Sequence, residues 1–260
     1  VWSGTGITDV NAGTFDPSIG AATYILTYTY TDPSTNCINT STKTVTVHPL
    51  PIVDAGNNQS VCIDNGTFNM SGHSPQGGIW SGTGITNANA GTFDPSVGAG
   101  TYTLTYTYTD PITTCINTDT KTVTVEPLPV VDAGVNEEVC IDNGTFNMAG
   151  HSPTGGTWTG TGIINGSLGT FDPSIGQGNY TLTYTYTDPS TNCINTDTKV
   201  VTVHPLPTVS AGANQVVCID NGTFNMSGHT PQGGIWTGTG ITDANAGTFD
   251  PAVATAGTYT

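Results

Sequence analysis

The stretch Thr101-Tyr102-Thr103-Leu104-Thr105-Tyr106-Thr107-Tyr108-Thr109 decides the fold. Threonine alternates with a large apolar or aromatic side chain throughout, which is the two-residue period of a strand and not the 3.6-residue period of a helix. Tyr102, Leu104, Tyr106 and Tyr108 therefore share one face, while the β-branched threonines, which suit a pleated surface, share the other. This is the pattern of a half-buried strand. The run Thr120-Lys121-Thr122-Val123-Thr124-Val125 alternates in the same way, with Val123 and Val125 inward. Shorter candidate strands lie at 52–54, 59–62, 67–71, 78–81 and 91–93. Turn chemistry separates them at Asp64-Asn65-Gly66, Pro75-Gln76-Gly77-Gly78 and Asp94-Pro95. No window carries a helical period.

The same sentence is written more than three times. Trp2, Trp80, Trp158 and Trp236 recur every 78 residues, and Phe15, Phe93, Phe171 and Phe249 keep the same step. A fixed period means one structural unit in series. We divide the chain into the C-terminal part of a repeat at 1–48, whole repeats at 49–126 and 127–204, and the N-terminal part of a repeat at 205–260. The chain thus opens inside one repeat and stops inside another, as a window on a longer array does. Pro49-Leu50-Pro51, Pro127-Leu128-Pro129 and Pro205-Leu206-Pro207 read as short, semi-rigid joints. A 78-residue unit buries only about 60–65% of the surface its unfolded chain exposes, so its core needs support from crosslinks or neighbours.

Seven or so short strands per repeat, with one tryptophan on the third, match a β-sandwich of the immunoglobulin kind. The expected fold is all-β, with tandem immunoglobulin/PKD-like repeats and the four tryptophans in their cores. The order Val53-Asp54-Ala55-Gly56, Val61-Cys62, Phe68-Asn69-Met70-Ser71-Gly72, Gly78-Ile79-Trp80-Ser81-Gly82-Thr83-Gly84, the stretch 100–110 and Thr122-Val123-Thr124-Val125 resembles the PKD/Ig-like repeats of giant surface adhesins of gliding Bacteroidota, of the SprB kind. The resemblance covers the whole chain. It implies type IX export, an extracellular, cell-surface location and a role in adhesion or gliding motility.

Nineteen acidic against three basic residues give a net charge of −16, while only 8% of residues are charged. That balance repels phosphate backbones and anionic lipid, which excludes nucleic-acid partners on electrostatic grounds. No apolar run is long enough for a membrane span. The six cysteines form two periodic series, Cys37, Cys115 and Cys193, and Cys62, Cys140 and Cys218. No Cys-x-x-Cys pair occurs, so an extracellular disulfide framework is the better reading than a zinc or redox motif. Two pairings are open. In a sandwich of this kind Cys62 and the final hairpin 111–115 sit at opposite poles, beyond disulfide reach, whereas tandem stacking brings Cys62 towards Cys193 of the next repeat. The alternative pairs Cys62 with Cys115 and Cys140 with Cys193 inside the repeats. We take the bond across the joint as the first expectation.

Asp54, Asp132, Asp110 and Asp188 are weak calcium candidates, because Ca²⁺ takes six to eight oxygens and stiffens many extracellular modules. Ser210 stands where the period expects a further aspartate, so turn formation is the plainer account and no cofactor is expected. Lys43, Lys121 and Lys199, one per repeat, are expected on the threonine-facing side of an edge strand, pointing to solvent and blocking sheet pairing. A lysine–asparagine isopeptide bond, as some bacterial adhesins contain, is the sharper alternative. The histidines His73, His151 and His229 lack a partnered nucleophile, and no Gly-x-Ser-x-Gly elbow is present, so no enzyme activity is expected. The functional expectation is a stalk or filament segment of a large surface adhesin, with further copies of the repeat in the same chain as its partners. The alternative is a multivalent module whose loops bind surface glycans or proteins.

Overall fold

In a computed structural model that describes residues 1–259, residues 49–126 hold seven strands: β1 (Gln59–Cys62), β2 (Phe68–Asn69), β3 (Ile79–Ser81), β4 (Ile85–Asn87), β5 (Thr92–Phe93), β6 (Gly100–Thr109) and β7 (Ile116–Glu126). The alternating stretch quoted first is β6. It pairs antiparallel with β7 from Gly100↔Val125 to Thr109↔Ile116. These two long strands form the centre of a sheet of order β1-β7-β6-β3, and β2-β5-β4 form the second sheet. The first strand runs parallel to the last, with Val123↔Gln59 and Glu126↔Cys62.

Both sheets contribute to one core of Ala55, Met70, Trp80, Phe93, Leu104, Tyr106, Val123 and Val125. The chain is an all-β array of tandem β-sandwich repeats of the immunoglobulin kind, with a mixed four-stranded sheet facing an antiparallel three-stranded one across alternating inward residues.

Contacts divide the chain into two compact units. The first comprises Val1–Asp132, Ser152–Gly156 and Thr185–Asp197, and the second comprises Ala133–His151, Thr157–Tyr184 and Thr198 onward. The first unit also holds Trp2–Ser3, Ala22–Thr31 and Ile38–Val47 as one sheet. In the second unit Phe146–Asn147, Thr170–Phe171 and Ile163–Asn165 repeat the smaller sheet one period on. Its core residues Met148, Trp158, Phe171, Leu182 and Tyr184 are buried like their counterparts in the first.

Several details differ from the reading of the sequence. The expected strand at 52–54 is a single bridge, Asp54↔Ser74. Strand β4 was not anticipated, because Ile85-Thr86-Asn87 offers only three residues and a single apolar side chain to reveal a period. After the Phe-Asp-Pro of each of the first three copies the chain makes one turn of 3-10 helix, Pro95–Val97 in this repeat, in which Asp94 Oδ1 accepts from Ser96 N at 2.9 Å and proline presets the first φ. That turn ends on Gly98, whose φ of 118° only glycine adopts easily. The fourth copy has Ala254 in that place, and there the turn runs on as α-helix over Pro251–Ala254.

The expectation of solvent-facing lysines is wrong for Lys121 and Lys199. Lys121 lies two residues before Val123 and four before Val125, so it shares their inward parity and faces Leu104 across the pair. It is 2% exposed, and Lys199 is 1% exposed. Nor is β7 an edge, since β1 covers one side and β6 the other. Lys43, in the part-repeat at 1–48, is exposed.

Candidate functional site

The feature that joins distant parts of the sequence is a disulfide between Cys62 and Cys193, 131 residues apart, with Cα atoms 5.6 Å apart, inside the usual range. Both cysteines belong to the first unit. Cys62 closes β1 opposite Glu126, the last residue of β7. The backbone continues that alignment by one residue, since Ile63 N donates to Glu126 O at 2.9 Å, and then turns at Asn65 N to Cys62 O, 3.1 Å. Cys193 ends a tight hairpin turn. Asp188 N donates to Cys193 O at 2.9 Å and Asn192 N to Asp188 O at 2.8 Å, and Asn192 takes φ of 61°, a left-handed conformation that asparagine tolerates.

The in-repeat alternative, Cys62 with Cys115 and Cys140 with Cys193, does not form: Cys115 and Cys140 are free thiols, as are Cys37 and Cys218. The register gives the reason. Cys62 stands beside the end of β7 and Cys115 just before its start, so the length of the strand, roughly 33 Å at ~3.3 Å per residue, separates them.

The four acidic candidates serve the backbone. Asp110 Oδ1 accepts from Ile112 N and Thr113 N at 2.8 and 2.9 Å. Asp188 Oδ1 accepts from Ser190 N at 2.8 Å and Ser190 Oγ at 2.6 Å. These bonds to the charged form hold both carboxyls below the usual range, chiefly through the Thr113 amide for Asp110 and the Ser190 hydroxyl for Asp188. Asp54 and Asp132 form the backbone bridges to Ser74 and Ser152, and Asp54 Oδ1 also accepts from Gly56 N at 2.7 Å. Among the described residues no three His, Cys, Asp or Glu side chains gather as a metal site.

The tryptophans of the complete repeats are core residues: Trp80 is 1% and Trp158 2% exposed. Trp80 lies against Tyr106 at 5.0 Å and edge-on to His73 at 5.6 Å, and Trp158 repeats this with Tyr184 and His151. Trp2 and Trp236, in the two part-repeats, are partly buried, Trp2 against Tyr28 and Trp236 against His229.

Two features of the core escaped the sequence reading. One is the histidine in the aromatic cluster, for which the Gly-His-Ser-Pro turn gives no signal. The other is the buried lysine, which strand parity does signal. Lys121 Nζ donates to Gln59 Oε1 at 3.1 Å, and burial lowers its pKa against the opposing pull of Asp54. At the same place in the second unit Lys199 pairs with Glu137, donates to Ala149 O at 3.3 Å and lies 5.8 Å from the Trp158 ring centroid.

No protein-family model matches the chain, and no curated protein matches it. Among solved structures it is similar to Drosophila N-cadherin EC1-4, with 7% identity and a TM-score of 0.28 over 72% of this chain. It is similar to titin domains I67-I69 at 11% identity and a TM-score of 0.31, over 72% of this chain and 75% of that one. The chain spans 58% of the N-cadherin chain it matches.

Proposed function

We propose that the chain is a segment of an extracellular stalk, the repetitive part of a large surface adhesin that supplies reach and stiffness for adhesion or gliding motility. The observation that carries this reading is the Cys62–Cys193 bond, which ties the repeat read as 49–126 to the repeat read as 127–204. A covalent tie added to a Pro-Leu-Pro joint restricts the swing between neighbours. Disulfides persist in oxidising surroundings, which favours an extracellular setting. Further support comes from the 78-residue period itself, since copies this alike favour a task done by the series over one done by a single pocket. The motif likeness to PKD/Ig-like repeats of Bacteroidota adhesins belongs to this proposal. Its partners are further copies of the repeat, with surface glycans or proteins as targets displayed elsewhere on the adhesin.

Small-angle scattering of the oxidised chain tests the reading. A stiff array advancing about 35–45 Å per repeat, as strands of this length require, is the expected result, with a broader distance distribution after reduction. Oxidised particles that behave as freely swinging beads would remove the stalk function. Saturable glycan binding lost on loop substitution would favour the multivalent binding module instead.

A further inference from the structure

We propose that the Cys62–Cys193 bond is one rung of a strap that carries tension past the sandwich between its ends, and that Cys140 makes the next rung with a hairpin cysteine in the following copy of the repeat. The rung joins a β1-end cysteine to the hairpin cysteine one repeat later. Shifted by one repeat it joins Cys140, which is 62 + 78, to position 272, which is 193 + 79, because the copy at 205–260 carries one extra residue before Tyr259, the counterpart of Tyr180 against its phenylalanine.

The geometry of Cys62 is already built at Cys140. Cys140 pairs in parallel with His204 as Cys62 does with Glu126. Ile141 N donates to His204 O at 2.9 Å, and Asn143 N to Cys140 O at 3.0 Å, matching the bonds at 63 and 65. The thiol of Cys140 is exposed. The hairpin half of the rung is equally invariant. Asp32, Asp110 and Asp188 each donate N–H to the following cysteine carbonyl at 2.9 Å, and Asn36, Thr114 and Asn192 all adopt φ near 60°. Cys140 and the hairpin cysteines Cys37 and Cys115 therefore keep the backbone arrangement of their bonded equivalents Cys62 and Cys193.

The pattern has a mechanical consequence that follows from covalent connectivity alone. Tension entering at Cys62 crosses to Cys193 and bypasses residues 63–192. From Cys193 it runs through 25 residues (218 − 193) to Cys218, the next β1-end cysteine on that track. Twenty-five residues extend to at most about 83–90 Å, and they span two repeats. Two folded repeats advance about 70–90 Å at the strand lengths seen here. The strap is thus nearly taut while the sandwiches are folded, so the array resists lengthening by unfolding. Without rungs, the 156 residues of two repeats could lengthen to roughly 510–560 Å.

Closing a rung converts two thiols to one disulfide. The two S–H bonds give up two protons and two electrons to a small-molecule disulfide such as oxidised glutathione, which leaves as two thiols. The tension that the strap resists rests on the stalk reading; the pairing rule for Cys140 does not.

Two measurements test the proposal. The chain is lengthened in register by appending a copy of residues 182–260 after Thr260, which places a copy of Cys193 at 272, and is then oxidised with glutathione disulfide and digested without reduction. Peptides joining Cys62 to Cys193 and Cys140 to the added cysteine are expected. A Cys140 that stays open to alkylation, or that pairs elsewhere, overturns the strap. Single-molecule stretching of the 260-residue chain by its ends is the second. The oxidised chain should reach full extension about 430–470 Å short of the reduced chain, the length of the 130 residues from 63 to 192. An oxidised chain that extends as far as the reduced one overturns it. Failed mapping beside stiff scattering removes the strap alone, whereas correct mapping beside freely swinging beads removes the stalk reading.

Discussion

Tyr106 carries a hydroxyl into a fully buried position, and the fold satisfies it on both sides. Its oxygen accepts from Gly78 N at 2.7 Å and donates to Pro75 O at 2.6 Å, which fixes the turn before β3 against the centre of the larger sheet. Tyr106→Phe keeps the ring and strands both backbone groups, so we predict a loss of about 1–3 kcal/mol in urea unfolding; a loss under half of the lower figure would show that water or a shifted turn replaces the hydroxyl. The two buried lysines make a sharper contrast. Lys121 has only the neutral amide of Gln59 as a side-chain acceptor, whereas Lys199 pairs with Glu137. We predict that Lys121→Met leaves stability unchanged or raises it by about 1 kcal/mol, while Lys199→Met lowers it by about 1–3 kcal/mol, because Glu137 then loses its cation. The second figure stays below the ~3–5 kcal/mol of a fully buried pair since the Glu137 side chain keeps 27% exposure. Equal effects in the two variants would refute the distinction. Burial lowers the Lys121 pKa, so between its folded value and 10.5 the unfolded chain binds the extra proton and stability rises with pH. Lys121→Met should lack that alkaline rise in urea midpoints.

At the scale of the element, the long β6–β7 pair was legible because alternation over nine residues leaves one face for the core, and both ends agree with the sequence to within a few residues. The short strands were legible mainly from the turns that bound them, which is why β4 was missed and 67–71 shrank to Phe68–Asn69. Lys121 shares the parity of Val123, so its place in the strand and not its charge decides which face it takes. The Asp-Pro turns were legible as turns, but their capping role emerges only with the hydrogen bond to Ser96 and its equivalents. The carboxyls of Asp16, Asp94 and Asp172 are held below their ordinary value by the Ser18, Ser96 and Ser174 bonds. A depressed carboxyl stabilises the fold above its unfolded pKa of 3.8 and loses that contribution as pH falls through its lower folded value. We therefore predict that Asp94→Asn with Asp172→Asn flattens the fall of the melting temperature below about pH 4 while retaining the 3-10 turns; an acid limb of unchanged slope would assign that fall to other carboxyls, Asp110, Asp119 and Asp188 first among them.

For the whole molecule the period was the most legible property, since it needs no structure to see and sets where every later feature must recur. The disulfide partner was legible only as a choice between two pairings, because sequence gives cysteine positions along the chain while the register of β1 on β7 gives their positions in space. That choice has a thermodynamic consequence. A bond between residues 131 apart removes somewhat more freedom from the unfolded chain than the in-repeat spacing of 53 would, by about 0.8 kcal/mol since the cost grows only with the logarithm of loop length. Chain-entropy arguments put its contribution at about 4–5 kcal/mol, large against the stability of a small sandwich. Trp80 and Trp158, the two fully buried indoles, both lie inside the closed loop, so their fluorescence reports the part of the chain the bond constrains. Reduction and alkylation should move the urea midpoint of that fluorescence well below its value in the oxidised protein. Cys62→Ser should reproduce the shift without reductant, while Cys115→Ser, which touches an unbonded thiol, should leave it in place. If instead Cys115→Ser and Cys62→Ser shift the midpoint equally, the pairing in solution runs within the repeat, and the tie between successive repeats is lost.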